Sequence, residues 1–453
     1  MAKKEAKNTW LWVSTGDLRT ELKQLVEEGR DVTAVRARFR RLIRLGDEKL
    51  RTASSQQRAA ELLDAAQTLK MRRGYPFDEP SDLPGIRRLR TRGPRRFRKR
   101  LPDRALLDHV TGAWLGRCAG CLLGKPFEGV RTDRFWPFLK ATRQWPIRHY
   151  VRFGVRGKAA AQFPDMVRRS WCDRIEHMPI DDDTNYTTTG FLIVKRYGRR
   201  FAPADVGQFW LGNLPLLATC TAERVAYRNL AVGIAPPASA RFRNPFREWI
   251  GAQIRADAFG YVNMGNPQRA AEFAWRDASI SHVKNGIYGE MLMAAIIAAA
   301  PYCPEPEALL KVGLSEIPKT SRLFADVAEV IDWHRQGVGY DEAVAKIHDK
   351  WDEHVGHDWC HTNSNAAICA AALLWGAGDF GKSVCRAVQP CFDTDCNGAT
   401  VGSIVGMMLG ARKLPTKWTG KLHDTLHTSL TGYPVVRITR IAKETFDLFR
   451  QIR

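Results

Sequence analysis

No run of apolar residues in this chain approaches the roughly 18 that a membrane span requires. The nearest, Met291 to Pro301, is short and ends at proline, so no membrane partner is expected. The opening MAKKEAKNTW is basic and is not followed by the apolar stretch of a secretory leader, which makes the cytoplasm the expected location. Disulfide logic is missing too. The 10 cysteines are irregularly spaced from Cys118 to Cys396, a pattern that suits reduced thiols better than a covalent framework. Alternating strand-like runs are scarce. Acidic residues are outnumbered, 48 against 70 Lys and Arg, and the resulting +22 favours phosphates and acidic surfaces without specifying one.

What is present is an ordinary globular composition, 44% hydrophobic and 26% charged over 453 residues, enough for two or three domains. The positive charge is uneven. Residues 1–105 hold 27 Lys and Arg against 14 acids, more than half the excess in under a quarter of the chain. Within that part, Leu18 to Leu50 and Gln57 to Met71 space their apolar residues as amphipathic helices do. A proline-rich segment with a dense arginine run, Arg87 to Arg104, follows and reads as a linker that packs on a neighbour or stays solvated. A second, all-α domain is expected over 106–453, rich in Ala, Leu and Gly in helical blocks. Asn266 before Pro267 marks one helix start, a cap followed by proline at the first helical position. Gly112, Gly116, Gly120 and Gly124, four residues apart, predict a face where two backbones approach closely.

Two acidic motifs carry the chemistry. Asp181, Asp182 and Asp183 precede a hydroxyl-rich and then apolar run, and adjacent carboxylates repel unless a cation or a helix N-terminus compensates them. Taken alone, such a run reads as a helix cap on a solvated loop. A second pair, Asp393 and Asp395 in PCFDTDCNGATVG, also sits at the edge of a small-residue helical block. Lys and Arg are nearly absent from both local contexts, so hard divalent cations, Mg²⁺ with Mn²⁺ as the alternative, are the expected partners.

Together with the glycine block GAWLGRCAGCLLGKPFEG, these motifs resemble the three signature regions of the ADP-ribosylglycohydrolase family, in the family's order and spanning roughly Leu106 to Gly432. The resemblance implies an all-α domain of orthogonally packed helices with two Mg²⁺ ions in a central cleft. Its implied reaction is hydrolysis of the bond between ADP-ribose and an acceptor: a protein side chain, nucleic acid or a small conjugate. Carried over by residue, it implies metal ligands at Asp181, Asp182, Asp183, Asp393, Asp395 and Cys396, with catalytic roles for Glu128, Asp182 and Asp395. Substrate contacts are implied at Gly116, Gly120, Gly124, Arg255 and His282, the glycines offering backbone amides to the diphosphate. Three positions depart from the family pattern. Asp181 and Cys396 stand where hydroxyl residues are usual, and Arg117 follows the second glycine where an acid is usual; Glu128 then fits as a variant with an extra turn. These departures make a catalytically silent, ADP-ribose-binding member the alternative.

The remaining candidates read as structural. Cys118 and Cys121 form a lone C-x-x-C inside the small-residue block, a packing pattern rather than a zinc site. His354, His357, Cys360 and His361 have metal-like spacing but read first as a helix terminus or turn. The basic residues of 1–105 leave nucleic acid as a possible partner, beside docking of the amphipathic helices onto the main domain.

Overall fold

The structure is a computed structural model and describes residues 12–152 and 156–453. The basic opening decapeptide, in which no leader was found, lies outside the described residues. The fold is all-α, as expected: helices follow one another along the chain, and the strands Thr425–His427 and Val435–Arg437 form the one small antiparallel sheet among the described residues.

The N-terminal part folds as a small helical layer. Helix α1, Thr15–Glu27, is opened by a capping box in which Ser14 and Asp17 exchange side-chain and backbone hydrogen bonds. The periodicity over Leu18 to Leu50 is broken after α1, where Gly29 takes a positive φ of 81° and lets the chain reverse into α2, Thr33–Arg44. With α3, Ala53–Gln67, these helices bury Leu18, Leu25, Phe39, Leu42, Leu62 and Leu63 in a core of their own.

This layer is fastened to the rest by buried charge. Arg247 holds both Glu21 and Glu28 at 2.6 Å, and Gln24 donates to Glu248 at 2.6 Å. Glu27 accepts from His357 Nε2 at 2.9 Å, with His361 Nε2 at 3.9 Å. Both rings accept at Nδ1, from the Trp249 indole and the Asn363 amide, each at 3.1 Å, so in their neutral forms both carry their proton on Nε2 and aim it at Glu27. His357 lies in the short helix Gly356–Cys360 and His361 caps the helix Thr362–Gly376, and with Glu27 they bring three possible ligand atoms within 4.8 Å of one another. The arginine segment straps onto the main domain through three of its residues, while Arg88, Arg92, Arg96, Arg98, Lys99, Arg100 and Arg104 stay exposed. Arg90 and Arg95 both pair with the fully buried Glu316, and Arg87 pairs with Glu272 at 2.7 Å.

In the main domain, α4 runs over Asp103–Gly124 and α5 over Asp182–Tyr197. Helix α6, Asn285–Ala299, is buried along its whole length, which is why the longest apolar run in the sequence belongs to it. Asn266 caps the helix Pro267–Ala278 as its sequence predicts, accepting from the Arg269 amide at 3.1 Å. Helices α7, Thr362–Gly376, and α8, Thr394–Leu409, complete the centre.

The pairing of α4 with α8 positions the site. The two helices run antiparallel with Gly112, Gly116 and Gly120 against the backbone of Gly406, Gly402 and Gly398, and Gly124 against Thr394. A Cβ at any of these four positions of α4 would overlap the opposing backbone, so only glycine permits this approach. The expected substrate contacts at Gly116, Gly120 and Gly124 are thus corrected. These residues lie inside a helix, where their amides are spent on the helix itself, and they face another helix. Their work is to bring the C-terminal end of α4, where Lys125 and Glu128 follow, beside the N-terminal end of α8, where Asp393 and Asp395 lie. Thr394 Oγ1 closes the junction by donating to the Gly124 carbonyl at 2.9 Å.

Candidate active site

The two acidic motifs meet. Asp183 and Asp395, 212 positions apart by their numbers, place carboxylate oxygens within 4.8 Å of each other and of the Cys396 sulfur. Glu128, Asp393 and Asp395 form a second group held within the same limit. Each acid is delivered by a helix end. Asp181 caps α5 by accepting from the Asp183 amide at 2.9 Å, Asp182 and Asp183 occupy the first turn, and Asp393 and Asp395 flank the start of α8. Both helix dipoles thus point their positive ends at the acids. Asp183, Asp393 and Asp395 are buried, Asp182 is half-buried, and Glu128 reaches the rim.

Burial is the largest influence on these groups. It raises Asp182, Asp183 and Asp395 well above the usual carboxylate range, helped at Asp182 by the charges of Asp181 and Glu128 and at Asp395 by those of Glu128 and Asp393. Glu128 is pushed up to about 7, first by desolvation of its inward-turned carboxyl and then by Asp393 and Asp181. An assembly so crowded with negative charge calls for a cation. The Oδ1 of Asp395 is buried without a hydrogen-bond partner among the described residues, which leaves it free to ligate an ion. Glu128, Asp393 and Asp395 together fit a hard divalent cation.

One expectation is corrected here. Basic residues are absent from the acidic motifs in sequence but not in space, because α4 and the residue that follows it supply two. Lys125 pairs with Asp181. Arg117, fully buried, donates to Asp183 Oδ1 at 2.9 Å and the Asp183 carbonyl at 3.0 Å, and reaches Asp257 at 2.8 Å. Nothing in the sequence pattern points to Asp257 as its partner. Cys121, read as packing, is buried on the same helix and lies 4.0 Å from Asp183 Oδ2. Cys360, four residues from the turn at Gly356, approaches Asp393 Oδ2 at 3.7 Å.

Arg255 and His282 are also corrected. Arg255 is closed within the protein between Glu223 at 2.6 Å and Asp277 at 2.5 Å, lying over the rings of Tyr186 and Trp210. His282, kept neutral by burial, accepts or donates at Nδ1 with Ser281 Oγ at 2.9 Å. Both side chains are buried, and Arg255 braces the layer behind α5, since Tyr186 belongs to that helix.

A solved structure described as an ADP-ribosylglycohydrolase-related protein complex matches at 18% identity with a TM-score of 0.48, covering 77% of this chain and 100% of its own. No curated protein matches. The ADP-ribosylglycohydrolase family profile matches residues 102–452, beginning at the proline before α4 and taking in both acidic motifs, and on this match the chain belongs to the ADP-ribosylglycohydrolase family.

Proposed function

We propose that this protein is a metal-dependent hydrolase that cleaves the glycosidic bond joining ADP-ribose to an acceptor. The observation that carries this reading is the convergence of Glu128, Asp393 and Asp395 within 4.8 Å, with a buried, unpartnered oxygen on Asp395. Glu128, Asp393 and Asp395 would hold Mg²⁺ or Mn²⁺, which when bound supplies an anchor for ribose hydroxyls and a more acidic water. The chain's own groups do the rest. Cleavage develops positive charge on the ribose ring, and Asp182 and Asp395 in their ionised forms would present negative oxygens to it. Glu128, whose side chain reaches the rim, is placed to take a proton from the attacking water.

The substrate is an ADP-ribosylated molecule. Nucleic acid as the modified acceptor draws no support from Arg87, Arg90 and Arg95, which are engaged internally. All 10 cysteines are free, in keeping with action in the reducing cytoplasm. Among the described residues no helix is long and apolar enough to cross a membrane.

The experiment is release of free ADP-ribose from a panel of ADP-ribosylated acceptors, with Mg²⁺ or Mn²⁺ and with excess chelator. Turnover that requires the ion and is lost in Asp395→Asn supports the reading. Binding of ADP-ribose without turnover of any acceptor would favour the silent-member alternative, toward which the pairing of Arg117 with Asp183 points.

A further inference from the structure

The two-ion arrangement implied by the family resemblance fits only half of this site. Its carboxylate half, Glu128, Asp393 and Asp395, offers oxygen atoms alone. The other half would be built from Asp183 with Asp181, Cys121, Cys396 and the shared Asp395. There the protein has already supplied cations. Arg117 donates through one nitrogen to Asp183 Oδ1 at 2.9 Å, to the Asp183 carbonyl at 3.0 Å and to the Ile254 carbonyl at 2.6 Å. Its other terminal nitrogen lies 2.8 Å from Asp257. Lys125 takes Asp181.

Arg117 cannot step aside for an ion. Its side chain and those of Asp183 and Asp257 are at most 1% exposed, so moving the guanidinium would leave Asp257 as an uncompensated buried charge. The donors left over are the second oxygen of Asp183, the shared Asp395 and two thiols, and thiols are soft ligands and poor partners for Mg²⁺ or Mn²⁺. A dication placed there would also face a fixed guanidinium across Asp183.

We propose that this chain binds a single hard divalent cation, at Glu128, Asp393 and Asp395, and that Arg117 and Lys125 occupy the electrostatic place of the second. The proposal rests on the metal-dependent reading given above and specifies its stoichiometry.

The test is direct ion counting. The full-length protein is dialysed against Mn²⁺, the bound metal is measured by elemental analysis, and the electron paramagnetic resonance spectrum is recorded. The expected result is one Mn²⁺ per chain with the spectrum of an isolated ion. The variant Arg117→Leu/Asp257→Ala/Cys396→Thr removes the guanidinium with its buried counter-charge and restores an oxygen ligand, and it is expected to take up a second, spin-coupled ion. Two coupled ions in the unaltered protein would overturn the single-ion proposal while leaving metal dependence intact. No bound Mn²⁺ at all would overturn both. A folded triple variant that still holds one ion would show that Arg117 is not what excludes the second; if that variant does not fold, the count in the unaltered protein decides.

Discussion

Arg247 of the main domain binds Glu28 of the N-terminal layer at 2.6 Å, and its second terminal nitrogen binds Glu21 of α1 at the same distance. All three side chains are at most 10% exposed. The pairing makes residues 12–75 a wall of the domain and not an appended module. Replacing Arg247 with Met leaves the buried Glu21 without its cation, while Glu28 keeps Lys284 at 3.1 Å, and a loss of about 3–5 kcal/mol is expected from breaking such a buried pair. Chemical denaturation of the variant against the unaltered protein measures it.

Truncation at Leu106 is expected to give an unstable, aggregating product. It would expose the surface now covered by Gln24, Glu21 and Glu28, and strand Arg247 and Glu316 without their charge partners. Size-exclusion chromatography and thermal melting check this outcome; a monomeric, equally heat-stable fragment would contradict it.

The seam is also acid-sensitive. Burial would raise Glu27, but the His357 hydrogen bond and the charges of His357, His361 and Lys23 outweigh it and bring the carboxyl down to about 2. A carboxyl depressed in the folded state stabilises above its ordinary value of 4.5 and loses that contribution as pH falls toward 2. Between about pH 4.5 and 2 the folded protein should therefore lose stability more steeply than Glu27→Gln does, as read from urea midpoints across that range.

At the site the sign reverses. Asp182, Asp183 and Asp395 are raised by burial, so their ionisation costs stability once the pH exceeds their unfolded values near 3.8. A divalent ion relieves that cost only where the groups are ionised. Mg²⁺ or Mn²⁺ should raise the melting temperature more at pH 8 than at pH 5, and the difference should shrink in Asp395→Asn.

Gly120→Ala tests the helix contact. The added methyl meets the Gly398 carbonyl, a backbone group that cannot rotate away, so destabilisation at or above the upper end of the usual overpacking cost, about 3 kcal/mol, is expected. Ion affinity should fall with it, because the same contact sets Glu128 beside Asp393. Calorimetry with Mn²⁺ on the folded fraction reads that loss.

Much of this architecture was legible in the chain itself. Repeated glycines announced a close helix contact, Asn266 and Pro267 a helix start, and the acid runs their helix ends, because each is a local rule of backbone geometry or capping. The partners were not legible. Arg117 is distant in sequence from both Asp183 and Asp257, and Glu27 is 330 positions from His357, so no spacing rule connects them. Arg255 illustrates the opposite error. A motif position was identified, but only packing reveals that its guanidinium is walled in by Glu223 and Asp277.

The glycine stripe between α4 and α8 carries an ambiguity that the molecule has to resolve. Because glycines recur every four residues on both helices, sliding one helix by a turn would again set glycine against glycine, so the stripe alone permits several alignments. The choice among them falls to features that occur once on this pair: the Thr394 hydroxyl on the Gly124 carbonyl and the His109 ring on the Met407 carbonyl at 2.7 Å. Thr394 stands between Asp393 and Asp395. The contact that keys the alignment at that end therefore also sets these two acids beside Glu128, and selecting the native register assembles that part of the cluster in the same step.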